Sequence, residues 1–207
     1  MEKNKNGLIT RREFAFVLYP ESVTENWKEI LISLQQPIFY ILHDKDKNAD
    51  GTLKKAHYHV MIMYDNPRRS TTVAKIALKC GGSGYLEDLV SKRGYVRYLT
   101  HLDNPEKYQY STDDVFCLCG ADYNFEIKSK SEIRNDKLKQ ITEIMDFCDD
   151  NKIHVYSDLL RYSSRYRLDW LDVLTTYSGQ VIKDFIKSNA YAYVHPEYKL
   201  NRFFDKK

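Results

Sequence analysis

The sequence predicts an α+β fold: a mixed or antiparallel sheet flanked by helices, followed by a small all-α region. Three observations carry this. Strand-like segments rich in aromatic and β-branched residues alternate with helix-period segments through the first 127 residues. Beyond the polar stretch Lys128-Ser129-Lys130-Ser131 only helical periodicity remains. The block His57-Tyr58-His59 sits in a run of strict period two, which on a strand turns both imidazoles to one face.

The elements follow in order. Glu13-Phe14-Ala15-Phe16-Val17-Leu18-Tyr19 reads as a strand stopped by Pro20. Ser22-Val23-Thr24-Glu25 fits a capping box, and Trp27, Ile30, Leu31 and Leu34 recur at helical spacing until Pro37. Ile38-Phe39-Tyr40-Ile41-Leu42 is a nearly continuous apolar run, suited to a central strand, and delivers His43 at its end. Residues 44–55 are charged, contain the turn signal Asn48-Ala49-Asp50-Gly51, and form a loop. Residues 56–64 alternate: His57, His59, Met61 and Met63 on one face, Tyr58, Val60, Ile62 and Tyr64 on the other. Antiparallel pairing of these two strands brings His43 close to His57 and His59. A helix over 71–79 ends at Cys80-Gly81-Gly82, a short strand is expected over 85–90, a helix over 91–101 and a strand over 115–118. Apolar stripes at Ile133/Leu138/Ile141/Ile144/Met145, Val155/Leu159/Leu160, Leu168/Leu171/Leu174 and Val181/Ile182/Phe185/Ile186 mark the later helices. The expected organisation is a first domain over 1–127, a helical domain over 131–190 and a tail over 191–207.

Composition narrows the function. Of 207 residues 17 are tyrosine, and the net charge is only +3. So mild a charge does not demand nucleic acid, but the cations cluster in or near the histidine and tyrosine motifs: Arg11-Arg12, Lys45 and Lys47, Lys54-Lys55, Arg68-Arg69, and Lys92-Arg93 with Arg97. Such clustering suits a groove that tracks a phosphate backbone, and exposed tyrosines stack on bases. The first residues, Met1-Glu2-Lys3-Asn4-Lys5-Asn6, carry no apolar stretch, and no run is long enough for a bilayer. Cys80, Cys117, Cys119 and Cys148 lack a disulfide-framework spacing, so the expected compartment is a reducing cytoplasm.

His57 and His59 make half of a divalent-metal site, and His43-Asp44-Lys45-Asp46 offers the other half. From the residues alone, Asp44 and Asp46 are equal candidates. Three imidazoles and one carboxylate suit Mn²⁺ as well as Zn²⁺. A tyrosine near such a metal is a competent nucleophile on a phosphodiester, and the phosphotyrosine formed keeps the energy needed to rejoin the strand. Tyr95 and Tyr98 share one side of the helix expected over 91–101. His101 is expected either to orient the phosphate or to cap that helix.

Tyr19-Pro20-Glu21-Ser22, Leu42-His43-Asp44-Lys45-Asp46-Lys47, Lys54-Lys55-Ala56-His57-Tyr58-His59-Val60 and Tyr98-Leu99-Thr100-His101 resemble the signature segments of RepB-like replication initiators of rolling-circle plasmids, in the HUH endonuclease superfamily. The resemblance implies a metal held by His43, Asp46, His57 and His59, Mn²⁺ foremost with Mg²⁺ as an alternative, and Tyr98 as nucleophile. It implies site-specific nicking and closing of one strand at a plasmid origin, single-stranded at the nick and duplex at flanking sites. Lys45, Lys54, Lys55, Arg68, Arg69, Lys92, Arg93 and Arg97 would hold DNA. A host helicase and polymerase would be partners, and the helical region would form a homo-oligomer. A relaxase or transposase would share the chemistry but lacks the flanking matches, and a viral Rep would carry a Walker A motif that this chain does not have. An origin-binding regulator with a structural metal site is the non-enzymatic rival.

Overall fold

A computed structural model describes residues 9–195 and Glu197. The chain divides into two compact units, the first ending at Lys128 and the second beginning at Ser129.

The first unit is built on four strands: β1 (Thr10–Leu18), β2 (Ile38–His43), β3 (His57–Arg69) and β4 (Phe116–Leu118). They lie in the order β1-β3-β2-β4 with every pairing antiparallel. Between them run α1 (Trp27–Ser33), α2 (Ser70–Lys79) and α3 (Lys92–Tyr98), and α4 (Tyr123–Glu126) follows the sheet. The alternation along β3 sorts the core into two layers. Val60 and Ile62 join Phe14, Phe16, Leu18, Ile38 and Tyr40 under Trp27 and Leu31 of α1 and Val73 and Ala77 of α2. Met61 and Met63 join Phe39 and Ile41 under Val96 and Leu99, with Tyr110 and Tyr123 completing that layer. His43, His57 and His59 continue the second face, beyond the end of its apolar core. The register fixes this, pairing His43 with His57 and Ile41 with His59.

Several elements differ from expectation for identifiable reasons. Residues 85–90 form no strand. One bond, from the Glu87 amide to the Ala15 carbonyl, ties the segment to the free edge of β1, and one bond is not a ladder. α1 starts at Trp27 rather than after Ser22. Ser22 instead bonds back to the Tyr19 carbonyl and Thr24 to the Lys79 carbonyl, so the expected capping box is spent on a turn. β3 runs on to Arg69, past Pro67, because β1 pairs with it again at Thr10 and Arg11 after a register shift, the kind of interruption at which a strand tolerates proline. α3 is shorter than expected. It is capped by Ser91, whose hydroxyl accepts from the Gly94 amide. It closes where the His101 amide reaches the Tyr98 carbonyl and the Leu102 amide the Arg97 carbonyl. That is a Schellman closure. His101 occupies its left-handed position, with φ 60°.

The second unit comprises α5 (Lys130–Asp150), α6 (Tyr156–Tyr166), α7 (Leu168–Thr176) and α8 (Gly179–Val194). The polar stretch Lys128-Ser129-Lys130-Ser131 leads into α5, where Ser129 and Glu132 form a reciprocal capping box. Ile144, Cys148, Leu159, Trp170, Val173, Leu174, Ile182 and Ile186 make its core. Leu138, Val155, Leu168 and Val181, all counted in the expected apolar stripes, are exposed instead. The expected tail begins within α8; residues 196 and 198–207 lie outside the described residues, as do residues 1–8. Among the described residues no helix is long and apolar enough to cross a membrane.

Candidate active site and metal centre

The antiparallel turn of the chain from β2 into β3 brings three imidazoles together. The ring centroids of His43 and His59 are 4.6 Å apart, those of His57 and His59 4.9 Å, and those of His43 and His57 5.6 Å. One candidate donor nitrogen from each lies within 4.8 Å of the other two. The loop between the strands folds back through a Lys47–Leu53 bridge and turns Asp46 inward, where it is 6 % exposed. Asp46 Oδ2 is 3.4 Å from His43 Nδ1. Asp44, its rival by sequence, is exposed. His101 joins from the end of α3, its ring 4.7 Å from that of His43, and with His43 and Asp46 forms a second overlapping donor set.

What holds each ring decides which nitrogen is offered. A carbonyl or carboxylate oxygen only accepts, so the ring nitrogen facing it carries the proton. His43 Nε2 donates to the Leu99 carbonyl (2.7 Å), His57 Nδ1 to the Lys55 carbonyl (2.8 Å), and His101 Nδ1 to the Tyr108 carbonyl (2.7 Å). His59 Nδ1 faces the Glu87 carboxylate at 3.2 Å, and the Tyr95 hydroxyl donates to the same carboxylate. The remaining nitrogens carry lone pairs and point inward. His57 Nε2 and His59 Nε2 stand 3.2 Å apart, and His43 Nδ1 and His101 Nε2 are buried without a hydrogen-bond partner. Converging lone pairs beside a carboxylate are costly unless a cation satisfies them. The donor set therefore fits a divalent ion, with nitrogen and oxygen ligands as Mn²⁺ accepts.

The electrostatics agree. Burial, then the neighbouring His59 ring, pushes His43 down to about 4. Burial also lowers His57 and His101. These rings are neutral near pH 7, the state a ligand needs. Burial acts to raise the Asp46 carboxyl, but in the acid range where it titrates the charge gained by the His43 and His101 rings, with the Tyr110 hydroxyl, outweighs burial and holds the acid below its usual range. Tyr110 works from both ends: its oxygen accepts the Lys45 amide (2.9 Å), it donates to Asp46 Oδ1 (3.2 Å), and its ring lies flat on His43 at 4.4 Å.

The two candidate nucleophiles part company here. The Tyr95 hydroxyl is held behind His59 on Glu87. Burial, then the adjacent carboxylate, keeps its phenol well above the ordinary range. Tyr98 lines the cleft with Asp46, His57 and His59. Its ring is 5.1 Å from that of His101 and 5.5 Å from that of His59. Lys107 stands 3.4 Å from its hydroxyl and 4.5 Å from its ring centroid.

Of the cations expected to hold DNA, Lys45, Lys54 and Lys55 border this cleft or the one adjoining it. Lys92 pairs with Glu126 at 2.6 Å. Arg93 donates to the Ile127 and Lys128 carbonyls. Arg97 forks onto Asp103 and reaches the Ile127 carbonyl. Lys92 thus ties α3 to α4, and Arg93 and Arg97 tie it to the segment after α4. Arg68 and Arg69 sit at the other end of β3, opposite Arg11 and Thr10. Glu87, Lys107 and Tyr110 escaped sequence reasoning. They lie on irregular segments, where no periodicity says which way a side chain turns.

Comparison with known proteins identifies the family. Residues 8–127 match the family described as plasmid replication protein, origin binding domain. Residues 134–191 match that described as replication protein RepB, C-terminal. A replication protein of Staphylococcus aureus is 34% identical over 192 residues, 92% of this chain and 92% of the relative. A replication protein RepB of Lactiplantibacillus plantarum is 34% identical over 207 residues, 98% of this chain and 92% of the relative. One of Streptococcus agalactiae is 31% identical over 162 residues, 68% of this chain and 77% of the relative. With both parts matched in order, the chain belongs to the RepB-like plasmid replication initiators, and its first unit is an origin-binding domain.

Proposed function

We propose that this initiator is a metal-dependent nicking and strand-transfer enzyme that cuts one strand at its plasmid origin through a covalent 5′-phosphotyrosine. The observation that carries the reading is the placement of Tyr98 on the open side of a donor cluster whose rings are each pinned through the opposite nitrogen. His43, Asp46, His57 and His59 would hold the ion, with His101 completing the buried side. A divalent cation there, Mn²⁺ foremost and Mg²⁺ as the alternative, supplies charge to the non-bridging oxygens of the scissile phosphate.

The chain's own residues do the rest. The Tyr98 oxygen attacks phosphorus, a tyrosine O–P bond forms, and the P–O3′ bond breaks. The leaving oxygen takes a proton and becomes a free 3′ hydroxyl, while the 5′ phosphate stays on Tyr98. Lys107 places positive charge where the phenolate develops. Glu87 and Tyr95 hold His59 in one tautomer, and Tyr110 holds Asp46. Attack by a 3′ hydroxyl on the phosphotyrosine reverses the step and closes the strand. The free 3′ end would prime a host polymerase behind a host helicase. The arginines at the far end of β1 and β3 suit duplex DNA flanking the nick. The exposed apolar residues of the second unit suit self-association.

A supercoiled plasmid carrying the cognate origin, incubated with the protein and Mn²⁺, tests this. A relaxed product with protein attached is expected, abolished by Tyr98→Phe with origin binding kept. Binding without relaxation would leave an origin-binding regulator with a structural ion.

A further inference from the structure

Two exposed tyrosines flank the donor cluster, each with a lysine resting on its ring. Tyr19, 41 % exposed at the end of β1, lies with its ring 6.3 Å from that of His57, and Lys55 Nζ is 4.8 Å from its centroid. On the other side Tyr108, 45 % exposed, packs its ring 4.8 Å from that of Tyr110, which itself stacks on His43. Lys45 Nζ is 4.8 Å from the Tyr108 centroid and 3.0 Å from its hydroxyl. Lys45 and Lys55 sit at the two ends of the loop that turns Asp46 inward. Two clefts, of about 340 and 480 Å³, meet there. Tyr19 lines one and Tyr108 the other, and they share Asp46, Asn48 and Lys54. The two clefts therefore adjoin across these shared residues.

We propose that Tyr19 with Lys55 and Tyr108 with Lys45 are two subsites for single-stranded DNA, stacking the bases on either side of the phosphate held at the cluster. The inference rests on the functional reading above for where that phosphate lies. An ammonium over an aromatic ring occupies the places a nucleotide takes: the phosphate draws the ammonium aside and the base covers the ring. Lys55 also pairs with Glu21, an exposed contact that a phosphate displaces at little cost. Paired bases in a duplex keep their faces in the stack, so the subsites select unpaired DNA. Selection by stacking tolerates sequence, so base identity is read elsewhere.

The test is binding of the full chain, in EDTA, to a fluorescein-labelled oligothymidylate and to a blunt duplex, followed by anisotropy. Tyr19→Ala and Tyr108→Ala are each expected to weaken single-strand binding roughly ten- to hundredfold, with Tyr19→Phe and Tyr108→Phe within about twofold of the parent and duplex binding unchanged. Lys45→Met and Lys55→Met, which keep the rings, should each lower the salt slope for the single strand by about 0.7. Alanine variants that bind like the parent, phenylalanine variants as weak as alanine, parallel losses on duplex, or unchanged salt slopes would overturn the proposal. Because EDTA prevents cleavage, the two readings fail separately. Loss of single-strand affinity in a protein that never nicks would sink the enzyme and spare the subsites. Nicking with unaltered affinity in both alanine variants would sink the subsites alone.

Discussion

An imidazole offers a metal whichever nitrogen its surroundings leave bare, so residues behind the ligands count as much as the ligands. Glu87→Gln keeps the size of the group that holds His59 Nδ1 but removes its charge. Affinity for Mn²⁺ should fall roughly ten- to hundredfold, read by isothermal titration; an unchanged affinity would mean that His59 needs no such holder. Acidity acts on the same rings. The His43 value falls from an ordinary one near 6.5 to about 4 on folding, so between those limits the unfolded chain binds more protons than the folded one. Its contribution to stability is complete above about pH 6.5 and is lost as pH falls toward 4. The ion-free protein should therefore melt at progressively lower temperature as it is acidified through that window. A flat melting profile there would contradict a neutral, buried His43. Sequence made His57 and His59 legible because strand alternation is rigid. It left Asp44 against Asp46 undecided because a loop has no period, and it missed Glu87, forty-one positions from Asp46, whose segment touches β1 through one bond.

Among the elements, α1 and α2 pack on the sheet face opposite the histidines, and the turn between β1 and α1 meets the end of α2 closely. Gly81, just past α2, has φ +92°, and a Cβ there would lie 2.0 Å from the Ser22 carbonyl oxygen in the turn leading to α1. Gly51, at the tip of the loop between β2 and β3, has φ +84° but open space around it. Gly51→Ala should cost only the left-handed penalty, about 1–2 kcal/mol. Gly81→Ala should cost roughly 3 kcal/mol or more, since the Ser22 backbone must also move. Denaturant unfolding of the two variants gives the comparison, and equal losses would show that this contact is loose. The apolar pattern foretold β2 and α2 nearly to the residue, the start of β3 but not its extension to Arg69, and the helical character of the later region without its bounds. It failed where a local motif competed with tertiary contacts: Ser22 and Thr24 make turn and inter-element bonds instead of a cap, and His101 holds a left-handed position usually given to glycine.

The whole molecule is two units with separate cores, and the donor cluster lies wholly in the first. A chain ending at Lys128 should fold, bind Mn²⁺ with the same affinity as the full chain if the ion belongs to this cluster, and sediment as a monomer. The full chain should sediment as an oligomer that dissociates on dilution. An oligomeric fragment would move self-association out of the second unit. In the sequence the pattern changes from mixed to purely helical near Lys128, where the two compact units meet in the chain. Which apolar residues of the helices turn outward was not readable, because a stripe records spacing and not what covers it.

The proposed chemistry turns on one atom, the Tyr98 oxygen, becoming joined to DNA. Mass spectrometry of the peptide left on a suicide origin oligonucleotide after incubation with Mn²⁺ measures this directly. A nucleotide adduct on Tyr98 is expected; an adduct on Tyr95 or on another residue, or a cleaved strand with no peptide attached, would rule Tyr98 out as the nucleophile.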